Sequence, residues 1–146
     1  MHITYKGDYA LKTILDLSVR YGDTPVTIHD LAKRADIPLK FLEQILLDLK
    51  RGGFVESRRG KVGGYLLTRQ PSEITIGEVI RFIDGAIGPI DCLEENYHGC
   101  KDIYRCVFRP IWQEINQATS KIVDNITFED LLKRLQLRGR AMVYQI

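Results

Sequence analysis

No stretch of this chain approaches the roughly 20 consecutive apolar residues that a bilayer-spanning helix needs, and the opening residues MHITYKGDYALK lack the apolar core of a secretory signal. A cytoplasmic location with no membrane partner is therefore expected. Histidine is scarce: the 3 residues are His2, His29 and His98. None sits in a recognisable catalytic setting, no nucleophile-and-base signature is present, and no glycine loop has phosphate-binding spacing, so an enzyme is not expected. Cysteine is also sparse, with 3 residues. An odd count in a reducing compartment argues against a disulfide framework. There is no internal repeat and no low-complexity segment.

The charge that is present is unevenly spread. The formal net charge is only +2, yet residues 1–70 carry 12 Lys+Arg against 8 Asp+Glu, whereas residues 71–146 carry 9 against 11. The first half is thus the candidate for a nucleic-acid partner. Within it, Pro38 to Thr68 organises the rest. Phe41, Leu42, Ile45, Leu46 and Leu49 recur at helical spacing with Leu47 beside them, and Pro38 suits a first turn. Gly52-Gly53 stops that helix. Phe54-Val55 opens a strand, Arg58-Arg59-Gly60-Lys61 forms a basic turn, and Tyr65 to Thr68 returns as the partner strand.

Upstream, Tyr9, Ala10, Ile14, Leu15, Leu17 and Val19 mark a first helix that ends near Gly22. It is expected to pack beneath the following helix pair. Thr27-Ile28-His29-Asp30 has capping-box spacing and opens a short helix to about Ala35. Helix, tight turn at Asp36-Ile37-Pro38, second helix and arginine-tipped hairpin make a winged helix-turn-helix. The predicted fold class is mainly α with a small β-hairpin: a DNA-binding domain plus a long dimerisation helix.

That arrangement has a physical use, because a helix about 10–12 Å wide fits the major groove of DNA. A slim glycine-rich ribbon carrying arginines can meet phosphates or a minor groove. The candidate base readers are Leu39, Lys40, Glu43 and Gln44, at the start of the second helix. Gln44 is chemically suited to adenine, Glu43 to cytosine N4, and Lys40 to guanine or phosphate. Arg58, Arg59 and Lys61 are the candidate phosphate contacts of the wing. The bland alternative for each is a solvated helix face or turn.

After the hairpin, Thr75-Ile76-Gly77-Glu78 is a second capping box, opening a helix that should end near Gly85. Residues 85–106 lose all periodicity and contain every cysteine, too long a stretch for an ordinary connector. Val107, Ile111, Ile115, Ala118 and Ile122 then form a long apolar stripe, with Pro110 limiting its start. A winged helix has little apolar surface left to cover it, so the stripe is expected to pack against a second copy of the chain. Thr127 to Asp130 caps a last helix through Leu135, followed by the tail RGRAMVYQI. Three parts are expected: residues 1–84 as the winged helix-turn-helix domain, 85–106 as a cysteine-containing sensor loop, and 107–146 as dimerisation helix, C-terminal helix and tail.

The cysteines Cys92, Cys100 and Cys106 have the spacing C-x7-C-x5-C. Soft thiolates select an iron–sulfur cluster, zinc or copper(I). A fourth position would fall to Asp8, His98, His29 or a residue of a partner chain. A thiol redox switch and plain buried cysteines are the other readings of the same spacing.

The whole chain resembles the IscR/NsrR family of winged-helix transcription regulators. The resemblance is carried by YKGDYALKTILDLS, FLEQIL, RRGKVGGYLL, ITIGEVIRFIDG, the grouped cysteines and DNITFEDLL. It implies a homodimer on palindromic or pseudo-palindromic promoter DNA and, in many members, a [2Fe–2S] or [4Fe–4S] cluster on three cysteines, here Cys92, Cys100 and Cys106. A histidine that follows the third cysteine by three positions in the IscR-like pattern is Arg109 here, and the first cysteine gap is wider than the family's usual five residues. NsrR-like members draw a fourth ligand from the first helix of the other subunit, and Asp8 matches that place. Other members carry no cluster and govern cysteine metabolism by pairing with cysteine synthase. The C-terminal Tyr144-Gln145-Ile146 resembles the tail that such partners insert into that enzyme.

Overall fold

A computed structural model describes residues 2–144, with side chains through Arg140. Helices α1 (Tyr5–Val19), α2 (Ile28–Ala35) and α3 (Leu39–Arg51) lead into an antiparallel hairpin, β1 (Val55–Arg58) and β2 (Gly64–Leu67). Helix α4 (Ile76–Asp84), the irregular stretch after Gly85, α5 (Arg109–Val123) and α6 (Phe128–Tyr144) complete the chain. The helix starts follow from local chemistry. Thr4, Thr27, Thr75 and Thr127 each accept a hydrogen bond from an N–H in the first turn, satisfying a donor that the helix itself leaves free. At α6 the box is reciprocal: Asp130 accepts from the Thr127 N–H, which holds its carboxyl below the usual range.

The core lies between α1 and the helix pair. Ala10, Ile14 and Leu17 of α1 meet Leu31 of α2, Leu42, Ile45, Leu46 and Leu49 of α3, and Phe54 and Val55 at the root of the hairpin. The same core takes in Val79 of α4 and Phe128 of α6, the latter with 0% exposure, so the winged-helix core extends past residue 84. Burying one such phenylalanine contributes about 1.5–3 kcal/mol. A smaller cluster of Ile80, Ile87 and Val123 joins α4 to α5.

Three features differ from the sequence reading. Phe41 is 62% exposed and lies beside Tyr9 rather than in the buried stripe, because the buried face of α3 is narrower than its apolar face. The hairpin gains a third partner: Val26 pairs with Tyr65 through two backbone bonds of 3.0 and 2.8 Å. Finally, α6 continues to Tyr144 instead of giving way to a tail near Leu135. Gln145 and Ile146 of the expected partner-binding tail lie outside the described residues. Among the described residues no helix is long and apolar enough to cross a membrane.

Gly64 sits where β2 crosses Val26, with φ +152°, and a Cβ there would run into the Val26 carbonyl. Gly64→Ala should therefore lower unfolding stability by about 2 kcal/mol or more. Gly139 lies in α6, and a Cβ there would meet nothing within 4 Å among the described residues. Gly139→Ala should raise stability by roughly 0.5–1 kcal/mol, both changes being read by denaturant titration.

Candidate nucleic-acid interface and cysteine loop

Helix α3 has no side-chain N-cap, since Pro38 occupies that place, so its first N–H groups are left for solvent or a ligand. Leu39, Lys40, Glu43 and Gln44 are all exposed at this end. They share α3's outward side, opposite the buried Leu42, Ile45, Leu46 and Leu49. Gln44 donates from Nε2 to Asp48 Oδ1 at 3.3 Å.

Asp48 is itself held from α1. Lys6 Nζ lies 2.7 Å from its Oδ2, and Arg51 lies 3.7 Å from Oδ1. The Lys6 ammonium, with the Gln44 amide second, holds the Asp48 carboxyl below the usual carboxylate range. Sequence reasoning missed this pair, although the four-residue step from Gln44 to Asp48 is a spacing at which helix side chains meet.

The wing is tied to the last turn of α3 through β1 and its root. Lys50 Nζ donates to Ser57 Oγ at 2.7 Å, and Phe54 N–H donates to the Leu49 carbonyl at 2.9 Å. The hairpin therefore cannot swing independently of α3 without losing these bonds. At its tip Arg58, Arg59 and Lys61 are exposed. Arg58 pairs with Glu56 at 3.3 Å, whereas Arg59 and Lys61 make no ion pair among the described residues. Two free cations on a thin ribbon beside an exposed helix face can engage phosphates on both sides of a groove.

Helix α4 ties the wing to the rest. Arg69, just past β2, makes a two-pronged contact with Glu78 (2.6 and 3.4 Å), and its guanidinium stacks on Phe54 with 5.3 Å to the centroid. Phe82 packs on the same Phe54 with ring centroids 5.4 Å apart. At the far end of α4, Asp84 accepts from the Thr4 N–H at 3.0 Å and from the Thr4 hydroxyl, anchoring the N-terminus of α1. Gly7 is needed for that approach, since a Cβ there would collide with the Asp84 carboxylate.

The cysteine loop follows directly. Cys92 and Cys106 are half-buried, Cys100 is exposed, and all three are free thiols. The donor chemistry fits a thiolate-ligated group. The arrangement does not: among the described residues no three His, Cys, Asp or Glu side chains converge to hold a metal. Asp8, in the first turn of α1, pairs with Lys12 at 2.7 Å and raises the Lys12 pKa. His98 is exposed within the loop and His29 is exposed on α2.

A model of the Rrf2 family, described as iron-dependent transcriptional regulators, matches residues 3–134. An rrf2-like helix-turn-helix transcriptional regulator of Rhodobacter capsulatus is 40% identical over 137 residues, covering 89% of this chain and 91% of that one. The transcriptional regulator IscR of Yersinia pseudotuberculosis is 35% identical over 132 residues, covering 90% and 79%. Among solved structures, CymR, the global cysteine regulator of Bacillus subtilis, superposes with a TM-score of 0.76 at 30% identity, covering 92% and 98%.

The Lys6–Asp48 pair generates a pH-dependent expectation. A carboxyl whose folded pKa is depressed adds stability above its ordinary value of 3.8, and loses it as pH falls through the folded value. Lys6→Met should accordingly be less stable than the parent at neutral pH. That deficit should close as the pH drops below about 4, as followed by thermal melting across a pH series.

Proposed function

The chain belongs to the Rrf2 family of transcriptional regulators, and we propose that it acts in the cytoplasm as a homodimer on promoter DNA, controlled through its cysteine loop. It is a regulator and not an enzyme, as its relatives are. The observation that carries the dimer is the outward face of α5. Ile111, Ile115 and Ile122 are 50%, 43% and 60% exposed there, with Val107 and Phe108 exposed just before it. So large an apolar stripe on one helix is costly in water and is covered by a second copy of itself. A two-fold pair would carry two α3 helices and two wings. In this reading Leu39, Lys40, Glu43 and Gln44 read bases while Arg58, Arg59 and Lys61 hold phosphates.

Control is assigned to an iron–sulfur cluster, [2Fe–2S] or [4Fe–4S], on Cys92, Cys100 and Cys106. The description of the family model as iron-dependent supports this, as do three free thiols in one loop. When bound, such a group supplies a redox-labile crosslink. The loop has to close to bring the thiols together, and Asp8 of the partner subunit is the candidate fourth ligand. The loop begins at Gly85, one residue past the Asp84 anchor of α1, so a change of loop shape acts directly on the helix under the reader.

A second reading has its own support. The cysteines do not converge, and the CymR structure is that of a cysteine regulator. In that reading the chain is a cluster-free regulator of sulfur metabolism, governed by thiol redox state or by cysteine synthase gripping the C-terminal Ile146.

Two experiments separate these readings and test the DNA roles. Protein purified without oxygen should show visible absorption that is lost in Cys92→Ala, Cys100→Ala and Cys106→Ala. A colourless, iron-free dimer with unchanged promoter binding would favour the second reading. Arg59→Ala should weaken binding to every duplex and reduce the salt slope by about 1. A loss confined to one sequence would make Arg59 a base reader instead.

A further inference from the structure

The contact between Gln44 and Asp48 restricts more than position. A carboxylate accepts hydrogen bonds and cannot donate them, so the amide nitrogen of Gln44 has to face Asp48. The reversed amide would set two oxygens with lone pairs against each other. Asp48 has little freedom to turn away: its side chain is 16% exposed, Lys6 Nζ lies 2.7 Å from Oδ2, and Arg51 lies 3.7 Å from Oδ1. The partner that orients Gln44 is therefore itself anchored to a different helix.

We propose that Asp48 is a specificity-determining positioning residue, which fixes the order in which the Gln44 amide presents donor and acceptor to the base edges. This rests on the reading of Gln44 as a base reader. A primary amide carries two N–H bonds, one beside its own oxygen and one directed away from it. Donating the second to Asp48 leaves an oxygen and an N–H side by side, the pair that matches the N6 amino group and N7 of adenine. Without an accept-only partner the amide can turn over, and the turned amide offers donor and acceptor in the wrong order. Asparagine at position 48 removes this constraint while nearly preserving shape, because its own amide can donate or accept.

The test starts from the duplex that the wild-type protein selects from a randomised library, and measures affinity for every single base-pair change in it. Gln44→Ala should flatten the preference at one position in each half-site. Asp48→Asn should flatten the same position by roughly five-fold or more, leave other positions and unrelated duplex unchanged, and add nothing further when combined with Gln44→Ala. Lys6→Met, which removes one anchor of Asp48 but keeps its carboxylate and the Arg51 contact, should flatten the preference less than Asp48→Asn does. If Asp48→Asn does not fold, Asp48→Ala takes its place with the same expectation.

Full preference in Asp48→Asn alongside a flattened Gln44→Ala overturns the role of Asp48 alone. Equal flattening by Lys6→Met and Asp48→Asn also overturns it, since the ion pair would then be acting as plain scaffolding. An unchanged profile in Gln44→Ala overturns the base-reader reading and the proposal together.

Discussion

The burial of one face of α4 is the constraint on which the rest of the structure depends. Val79 and Ile80 are almost fully enclosed, one in the main core and the other against Ile87 and Val123. The polar contacts around this helix, Arg69–Glu78, Arg81–Asp124 and Asp84–Thr4, are partly exposed. Exposed ion pairs contribute about 0–1 kcal/mol each, whereas each enclosed aliphatic side chain contributes roughly 1.5–3 kcal/mol. Burial thus supplies the energy, and the polar contacts set the register. The outcome is a strut whose near end grips the wing through Arg69 and Phe54, and whose far end grips α1 through Thr4.

That geometry makes the cysteine loop and the exposed face of α3 near neighbours along a chain of contacts. The cysteine loop starts where the strut ends, and α1 starts where Asp84 caps it. From α1, Lys6 reaches Asp48 of α3, and Asp48 accepts from Gln44. The first two links, Asp84 to Thr4 and Lys6 to Asp48, are polar contacts between elements otherwise joined by close-packed side chains, and the last, Asp48 to Gln44, lies within α3. Such contacts have discrete arrangements rather than a continuum, which is what a switch of about 1–3 kcal/mol between two forms requires.

Much of this was legible in the sequence because it is local. Three threonine capping boxes gave the starts of α2, α4 and α6, glycines and prolines gave the turns, and the periodicity of α5 marked a face whose Ile111, Ile115 and Ile122 are exposed among the described residues. The pairings of Val26 with Tyr65 and of Thr75 with Thr127 were not legible, since they join residues far apart through backbone groups that carry no residue-specific signal. Phe41 was misplaced because an apolar residue at helical spacing need not face the core, and aromatic contact with Tyr9 keeps it outside. The length of α6 was underestimated because the apolar pattern was followed only to Leu135, whereas Gly139 beyond it costs about 1 kcal/mol, small beside the strong helix formers around it. At the cysteine loop, spacing named the thiols but carried no information on how the intervening residues fold.

The most direct measurement is a hydroxyl-radical footprint of the protein on its selected duplex. Two protected patches on one face of the DNA, centred about 34–36 Å apart or a multiple of that, with flanking protection from the wings, are expected from paired reader helices. A single unpaired patch, or protection with no helical phase, would contradict a two-fold dimer presenting α3 and the wing to adjacent grooves.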